Sequence, residues 1–219
     1  MINKIRPNMD EVLKQIPDGA RIMTSGFGTT GQAIELIEAL LDLGTRDLTI
    51  INNNAASSDR GLTRLLEAGR VSKMICSFPK TNNSNVFEEL YRQGKIELEL
   101  VPQGNLACRI QAAGAGLGAV FTPTGYGTAL AEGKETRQIN GKNYVLEYPI
   151  EADFALISAH QADRWGNLTY RKTARNFGPI MAKAAKTTIV QVKELFELGQ
   201  LDPESIITPG IFVQHVIKV

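Results

Sequence analysis

The 219-residue sequence is short of most of what marks a self-sufficient catalyst. It has only two histidines, His160 and His215, too few for much metal chemistry or a relay of bases, so no metal is expected. Its two cysteines, Cys76 and Cys108, lack C-x-x-C spacing and read as packed, reduced thiols of a cytoplasmic protein. There is no nucleophile elbow and no H-E-x-x-H, and the carboxylates are spread over helices and turns where solvated faces explain them. Excess charge is missing too. Against 24 Lys and Arg stand 23 Asp and Glu, which removes any general electrostatic reason to bind nucleic acid or an anionic membrane. No run approaches the ~18 apolar residues of a membrane span. The opening Met1 to Pro7 lacks the apolar core of a signal peptide, so a cytoplasmic location is expected. Any anion site must therefore be local.

Against these absences stands one dense motif. Residues 20–31 form an apolar strand that runs into Gly26, Gly28 and Gly31, and the stretch from Gln32 to Leu43 has a helical pattern. This is a G-x-G-x-x-G between strand and helix, where glycine lets the backbone approach a phosphate and the helix start offers unpaired N–H groups. A dinucleotide site would place an acid at the end of the next strand, yet Leu48 to Ile51 run into Asn52-Asn53-Asn54. No lysine follows the glycines, which excludes a Walker-type loop. The loop is built for a phosphate-bearing ligand that is neither NAD nor ATP.

Glycines 19, 44, 69 and 94 recur every 25 residues, each between a helical pattern and the start of a strand. Strands are predicted at about 20–25, 47–52, 71–76 and 96–101. Repeated βα units of this kind imply right-handed crossovers and an α/β fold, an open, mostly parallel sheet with helices on both faces. After Val101 the cadence breaks. Glycines 114, 116, 118, 125 and 127 crowd a stretch where neither regular helix nor strand is expected. Glu135–Ile139 and Lys142–Glu147 then flank Asn140-Gly141, which predicts a small antiparallel hairpin annex. Parallel units resume with Phe154–Ala159, a helix near Arg175–Lys183 and the strand Thr187–Val192. One domain over residues 1–219, with an insertion, is the expected organisation.

Ligands of such sheets bind beyond the carboxyl ends of the strands, which brings Gly26, Asn53 and Pro102-Gln103-Gly104 to one edge. There Asn53, Asn54 and Gln103 are either donors for a developing oxyanion or ordinary turn caps. His160 also falls on this edge and reads as packed or supporting, whereas His215 reads as structural. The run 114–127 is either substrate-lining or a tight connection. Tyr126, Arg164, Trp165, Tyr170, Arg171, Lys172 and Arg175 are available to anions or a protein partner, or simply to water.

The motifs Gly26-Phe27-Gly28-Thr29-Thr30-Gly31, Asn53-Asn54-Ala55, Val101-Pro102-Gln103-Gly104, Phe121 to Thr128 and Gly166-Asn167-Leu168, in this order, resemble the A subunit of family I CoA-transferases. The resemblance spans essentially the whole chain. Cys76 to Pro79, Asp163 to Lys172 and Asn176 to Met181 look most like the branch acting on 3-oxoadipate. Three positions depart from the family pattern. Ser25 stands where a first glycine is usual, Gln32-Ala33 where a proline follows Gly31, and Ala56 where glycine is frequent.

The resemblance implies transfer of CoA from succinyl-CoA to 3-oxoadipate in aromatic catabolism, with acetoacetate or acetate as the alternative acid. It implies that CoA thioester is a substrate rather than a resident cofactor, and that a glutamate on a separate B subunit is the nucleophile, in an assembly of two A and two B chains. On this chain it implies CoA binding by Ser25, Gly26, Phe27, Gly28, Thr29, Thr30 and Gly31, substrate lining by Asn53, Asn54, Thr124 and Gly125, and oxyanion contact by Gln103. The far carboxylate of a dicarboxylic acid calls for a cation, for which Arg109, Arg164, Lys172 and Arg175 are candidates. The competing reading is a non-catalytic α/β module that binds a phosphate-bearing ligand and regulates a partner.

Overall fold

The computed structural model of the chain describes residues 2–55, 59–80 and 84–219. Ala56 lies outside the described residues. A short helix α1 (Met9–Leu13) is capped by the Asn8 side chain, which accepts from the N–H groups of Asp10 and Glu11. Four βα units follow: β1 (Arg21–Thr24) and α2 (Ile34–Leu43), β2 (Leu48–Ile51) and α3 (Leu62–Glu67), β3 (Val71–Cys76) and α4 (Val86–Arg92), β4 (Glu97–Leu100) and α5 (Gln103–Gly114). Next come β5 (Val120–Thr122), β6 (Thr136–Ile139) and β7 (Lys142–Glu147). The chain returns through β8 (Ala152–Asp163), β9 (Leu168–Thr169), α6 (Gly178–Ala184) and β10 (Ala185–Phe196), and then β11 (His215–Lys218). The periodic glycines 44, 69 and 94 close α2, α3 and α4 in the left-handed conformation, as their spacing predicts.

The main sheet runs β11-β10-β8-β1-β2-β3-β4, all parallel along this path, while β9 folds back antiparallel on β8. Side chains alternate between two cores. Ile22, Ile50, Met74, Leu156 and Ile189 pack with α1 to α4 on one face. Their neighbours Met23, Ile51, Ile75, Ile157 and Val190 pack with α5 and α6 on the other. Both faces of the sheet are therefore covered, which is why its strands are apolar at successive positions. No helix among the described residues is long and apolar enough to cross a membrane.

The glycine-rich region departs from expectation. Val120–Thr122 is a strand after all, pairing antiparallel with β7 and joined with β6 in a three-stranded sheet. Its partners are distant, and the Thr122 hydroxyl donates to Asn105 Oδ1 at 2.9 Å, so tertiary pairing overrides the local glycine content. Strands β8 and β10 also run past their apolar segments to Asp163 and Phe196, because each supplies the other's backbone ladder even where the side chains are polar. The helix expected at 175–183 begins only at Gly178, with Pro179 in its first turn, and is preceded by a 3-10 turn at Lys172–Arg175.

Candidate active site

From β1 the chain moves strand by strand towards β4, then returns to place β8 on the opposite side of β1. The carboxyl end of β1 is thus the switch point of the sheet, where a crevice opens between loops leaving in opposite directions. The glycine loop lies there.

Ser25 is fully buried at the root of this loop. Its hydroxyl donates to the Gly31 carbonyl at 2.7 Å and accepts the Ser158 N–H at 2.9 Å, so it closes the loop and fastens it to β8. The hydroxyl is therefore spent on holding the loop together. Phe27 and Thr30 exchange backbone hydrogen bonds at 3.0 and 3.2 Å, which makes the loop a tight turn with Phe27 exposed near its tip. Gly26 N–H donates to Asn176 Oδ1 at 3.2 Å, and Gly28 N–H to Asn54 Oδ1 at 2.9 Å. Helix α2 starts with Leu36 N–H bonded to Gln191 Oε1 at 3.1 Å. The row of unpaired N–H groups expected here is thus mostly taken up inside the protein, and what the loop presents is shape. That shape depends on Gly31, where φ is +73° and a Cβ would stand 2.3 Å from the Ala174 carbonyl oxygen.

The three asparagines after β2 reach three different neighbours. Asn52 Nδ2 donates to the Thr24 carbonyl at 2.6 Å, tying β2 to β1. Asn53 is buried, accepts the Ser77 hydroxyl at 2.8 Å beside β3, and donates to Asn54 Oδ1 at 2.9 Å. Asn54 carries the contact on to the loop. Asn52 and Asn53 each use a donor and an acceptor together, which a carboxylate does not offer, whereas the Asn54 side chain only accepts. Asn53 thus supports the edge from within, and Asn54 is the half-buried member beside the loop.

Gln103 is exposed in the first turn of α5, on the same edge. Because β4 is three interstrand steps from β1, roughly 14 Å along the edge separates them, and Gln103 does not touch the loop. Two residues on, buried Asn105 donates to the Thr124 carbonyl at 3.2 Å and to Glu147 Oε1 at 3.2 Å. Gly125, in turn, accepts the Thr128 hydroxyl at 2.7 Å on its carbonyl. Thr124 and Gly125 are thereby held near the start of α5. Lys134 pairs with Glu147 at 2.8 Å, and Arg109 bonds Glu99 at 3.0 Å and the Tyr148 carbonyl at 2.7 Å. Arg109 is consequently committed to structure rather than available to a substrate.

On the β8 side the loop walls a cleft of about 810 Å³ lined by Phe27, Thr30, Tyr170, Lys172, Thr173, Arg175, Asn176, Ser205 and Ile207. No carboxylate is among these lining residues. Burial pushes the Tyr170 phenol up to about 12, with the Thr208 hydroxyl at 2.9 Å opposing the shift, so this ring enters as a neutral group. Asn176 connects the cleft to the loop: besides accepting from Gly26, its Nδ2 donates to the Thr30 carbonyl at 2.9 Å. His160 lines a separate pocket of about 190 Å³ with Arg171 and Lys193. His215 begins β11, and a parallel strand begins at the edge opposite the site.

The sequence pattern described as Coenzyme A transferase matches residues 6–219. The chain belongs to the coenzyme A transferase family. Two curated relatives, each named as the A subunit of a 3-oxoadipate CoA-transferase, are 64% identical in Acinetobacter baylyi and 65% identical in Pseudomonas putida. Each match takes in 100% of this chain, with 96% and 95% of the respective relative. Among solved structures, an acyl-CoA transferase of Escherichia coli O157:H7 in thioester complex with CoA superposes with a TM-score of 0.87 at 25% identity. That match covers 100% of this chain and 47% of the other, so the chain spans about half of the larger enzyme.

For this coenzyme A transferase chain, the structure joins Gly28 to Asn54, Phe27 to Thr30 and Gly26 to Asn176, and leaves Gln103, Thr124 and Gly125 further along the edge. Sequence reasoning missed the roles of Asn105 and Asn176. Asn176 stands in the quoted Asn-Phe-Gly-Pro stretch, but nothing in its spacing marks a side chain that bonds both limbs of a loop 150 residues earlier.

Proposed function

We propose that this chain is the A half of a two-subunit transferase that moves CoA from succinyl-CoA to 3-oxoadipate. The observation that carries this reading is the near two-thirds identity, over the whole chain, to relatives named for that acid. The site supports it, because the cleft and loop offer amides, hydroxyls and cations but no carboxylate. The nucleophile is then a glutamate of a B subunit, in a soluble assembly of two A and two B chains. CoA thioester enters as substrate.

In this scheme the glutamate oxygen attacks the succinyl carbonyl and CoA thiolate leaves, giving a mixed anhydride. The thiolate then attacks the glutamyl carbonyl, which releases succinate and leaves a glutamyl-CoA thioester. The 3-oxoadipate carboxylate attacks that thioester and expels the thiolate again. Attack of the thiolate on the oxoadipyl carbonyl regenerates the glutamate. Every step passes through an oxyanion, and the covalent route divides a difficult exchange into easier ones. Gln103 and Asn54 are the donors assigned to those oxyanions, each worth roughly 3 kcal/mol if well placed.

The test mixes this chain with its B partner, then follows thioester formation from succinyl-CoA and 3-oxoadipate, with each chain alone as control. Activity confined to the mixture supports the reading. Activity with acetoacetate but not 3-oxoadipate changes the acid, and inactivity with every acid favours a non-catalytic binding module.

A further inference from the structure

The 810 Å³ cleft is far larger than a small diacid requires and falls in the size range of nucleotide-sized ligands. Two of its residues, Lys172 and Arg175, open and close one 3-10 turn. Both cations line the cleft, one at each end of this turn. Neither forms an ion pair among the described residues, whereas Lys193 in the smaller neighbouring pocket has Glu35 at 3.8 Å. Lys172 also holds φ +51°, a left-handed conformation that costs a long side chain energy. Phe27 and Tyr170 supply flat apolar surface within reach of the same cleft.

Resting on the transferase reading above, we propose that Lys172 and Arg175 grip the phosphates of CoA, with the adenosine end in this cleft. The reacting thioester is then on the Asn54 side of the glycine loop. A pantetheine arm is long enough to divide the two ends of CoA in this way, and a loop that presents shape rather than N–H groups suits passage of that arm. Paired cations against phosphate oxygens are the strong, charge-assisted kind of hydrogen bond.

The test uses the assembled enzyme and compares Lys172→Gly, Arg175→Gln and the double variant with wild type. Glycine at 172 relieves the positive φ, so a loss there is not a backbone defect. Each single variant is expected to raise KM for succinyl-CoA, and Kd for CoA by calorimetry, about tenfold. KM for 3-oxoadipate and for succinyl-pantetheine, which lacks the phosphates, should be unchanged. Adenosine 3′,5′-bisphosphate should inhibit wild type and not the double variant. A rise in KM for 3-oxoadipate or for the succinyl group on pantetheine, with CoA affinity intact, overturns the proposal in favour of a carboxylate grip. No change in any constant also overturns it. If wild type binds CoA through these residues yet transfers it to no acid, the transferase reading fails and the phosphate grip stands.

Discussion

The amide oxygen of Asn54 accepts the backbone N–H of Gly28 at 2.9 Å and also receives the Asn53 amide. Its Nδ2 takes no part in either contact. Asn54→Asp preserves both accepting contacts but replaces that donor by negative charge, which the proposed transfer through oxyanions would not tolerate. The variant should unfold in urea within about 1 kcal/mol of wild type and turn over at least about tenfold more slowly. Equal loss of stability and activity would mean that Asn54 only braces the loop.

Alanine at two glycines of the same loop should give very different results. At Gly28, φ is +61° but an added methyl would have no atom within 4 Å, so Gly28→Ala should cost about 1–2 kcal/mol. At Gly31 the methyl would also meet the Ala174 carbonyl oxygen at 2.3 Å and Asn176 Nδ2 at 2.8 Å. Gly31→Ala should therefore cost about 3 kcal/mol or more, read from the denaturation midpoint at constant slope.

Glu147 is nearly inaccessible and holds Lys134, Asn105 and, at 3.8 Å, Arg109. Glu147→Ala removes the common partner of two cations and a buried amide, but Lys134 is exposed and Arg109 keeps Glu99, so the change should cost about 1–3 kcal/mol. The effect should be felt first in the Phe121–Thr128 segment, as faster hydrogen exchange there than in β1 or β8.

His215 is half-buried, its Nδ1 has no partner among the described residues, and burial followed by the nearby Arg6 charge holds its pKa below the ordinary 6.5. The folded state thus prefers the neutral ring. Its stabilising contribution is complete above pH 6.5 and is lost as pH falls from 6.5 through the lower folded value, because the unfolded chain takes up the proton first. Stability should drop by up to ~1.4 kcal/mol per pH unit in that window, and His215→Asn should flatten this part of the profile.

Local instructions made half of this molecule readable. Gly44, Gly69 and Gly94 each end a helix by a rule that involves only a few neighbours, and Asn140-Gly141 turns its hairpin for the same reason. The candidate site was readable where it is built from the turn itself, in Gly26 to Gly31. It was not readable where orientation decides. Position alone marks Asn53 as lying at a strand end, but only packing turns it inward to Ser77 while Asn54 turns to the loop. Lys172 and Arg175 stood among several cations until their place on the cleft and their lack of ion pairs among the described residues set them apart, whereas Arg109 was removed from that group by Glu99 and Tyr148.

Asn176 bonds a loop made 150 positions earlier. During synthesis Gly26 and Thr30 therefore emerge long before the side chain that holds them, and until it docks their backbone groups have only water. Long-range contacts of this kind form late, after the entropy of closing the intervening chain has been overcome. The glycine loop is written first and finished last, so the cleft beside it has no complete wall until Asn176 has emerged and docked.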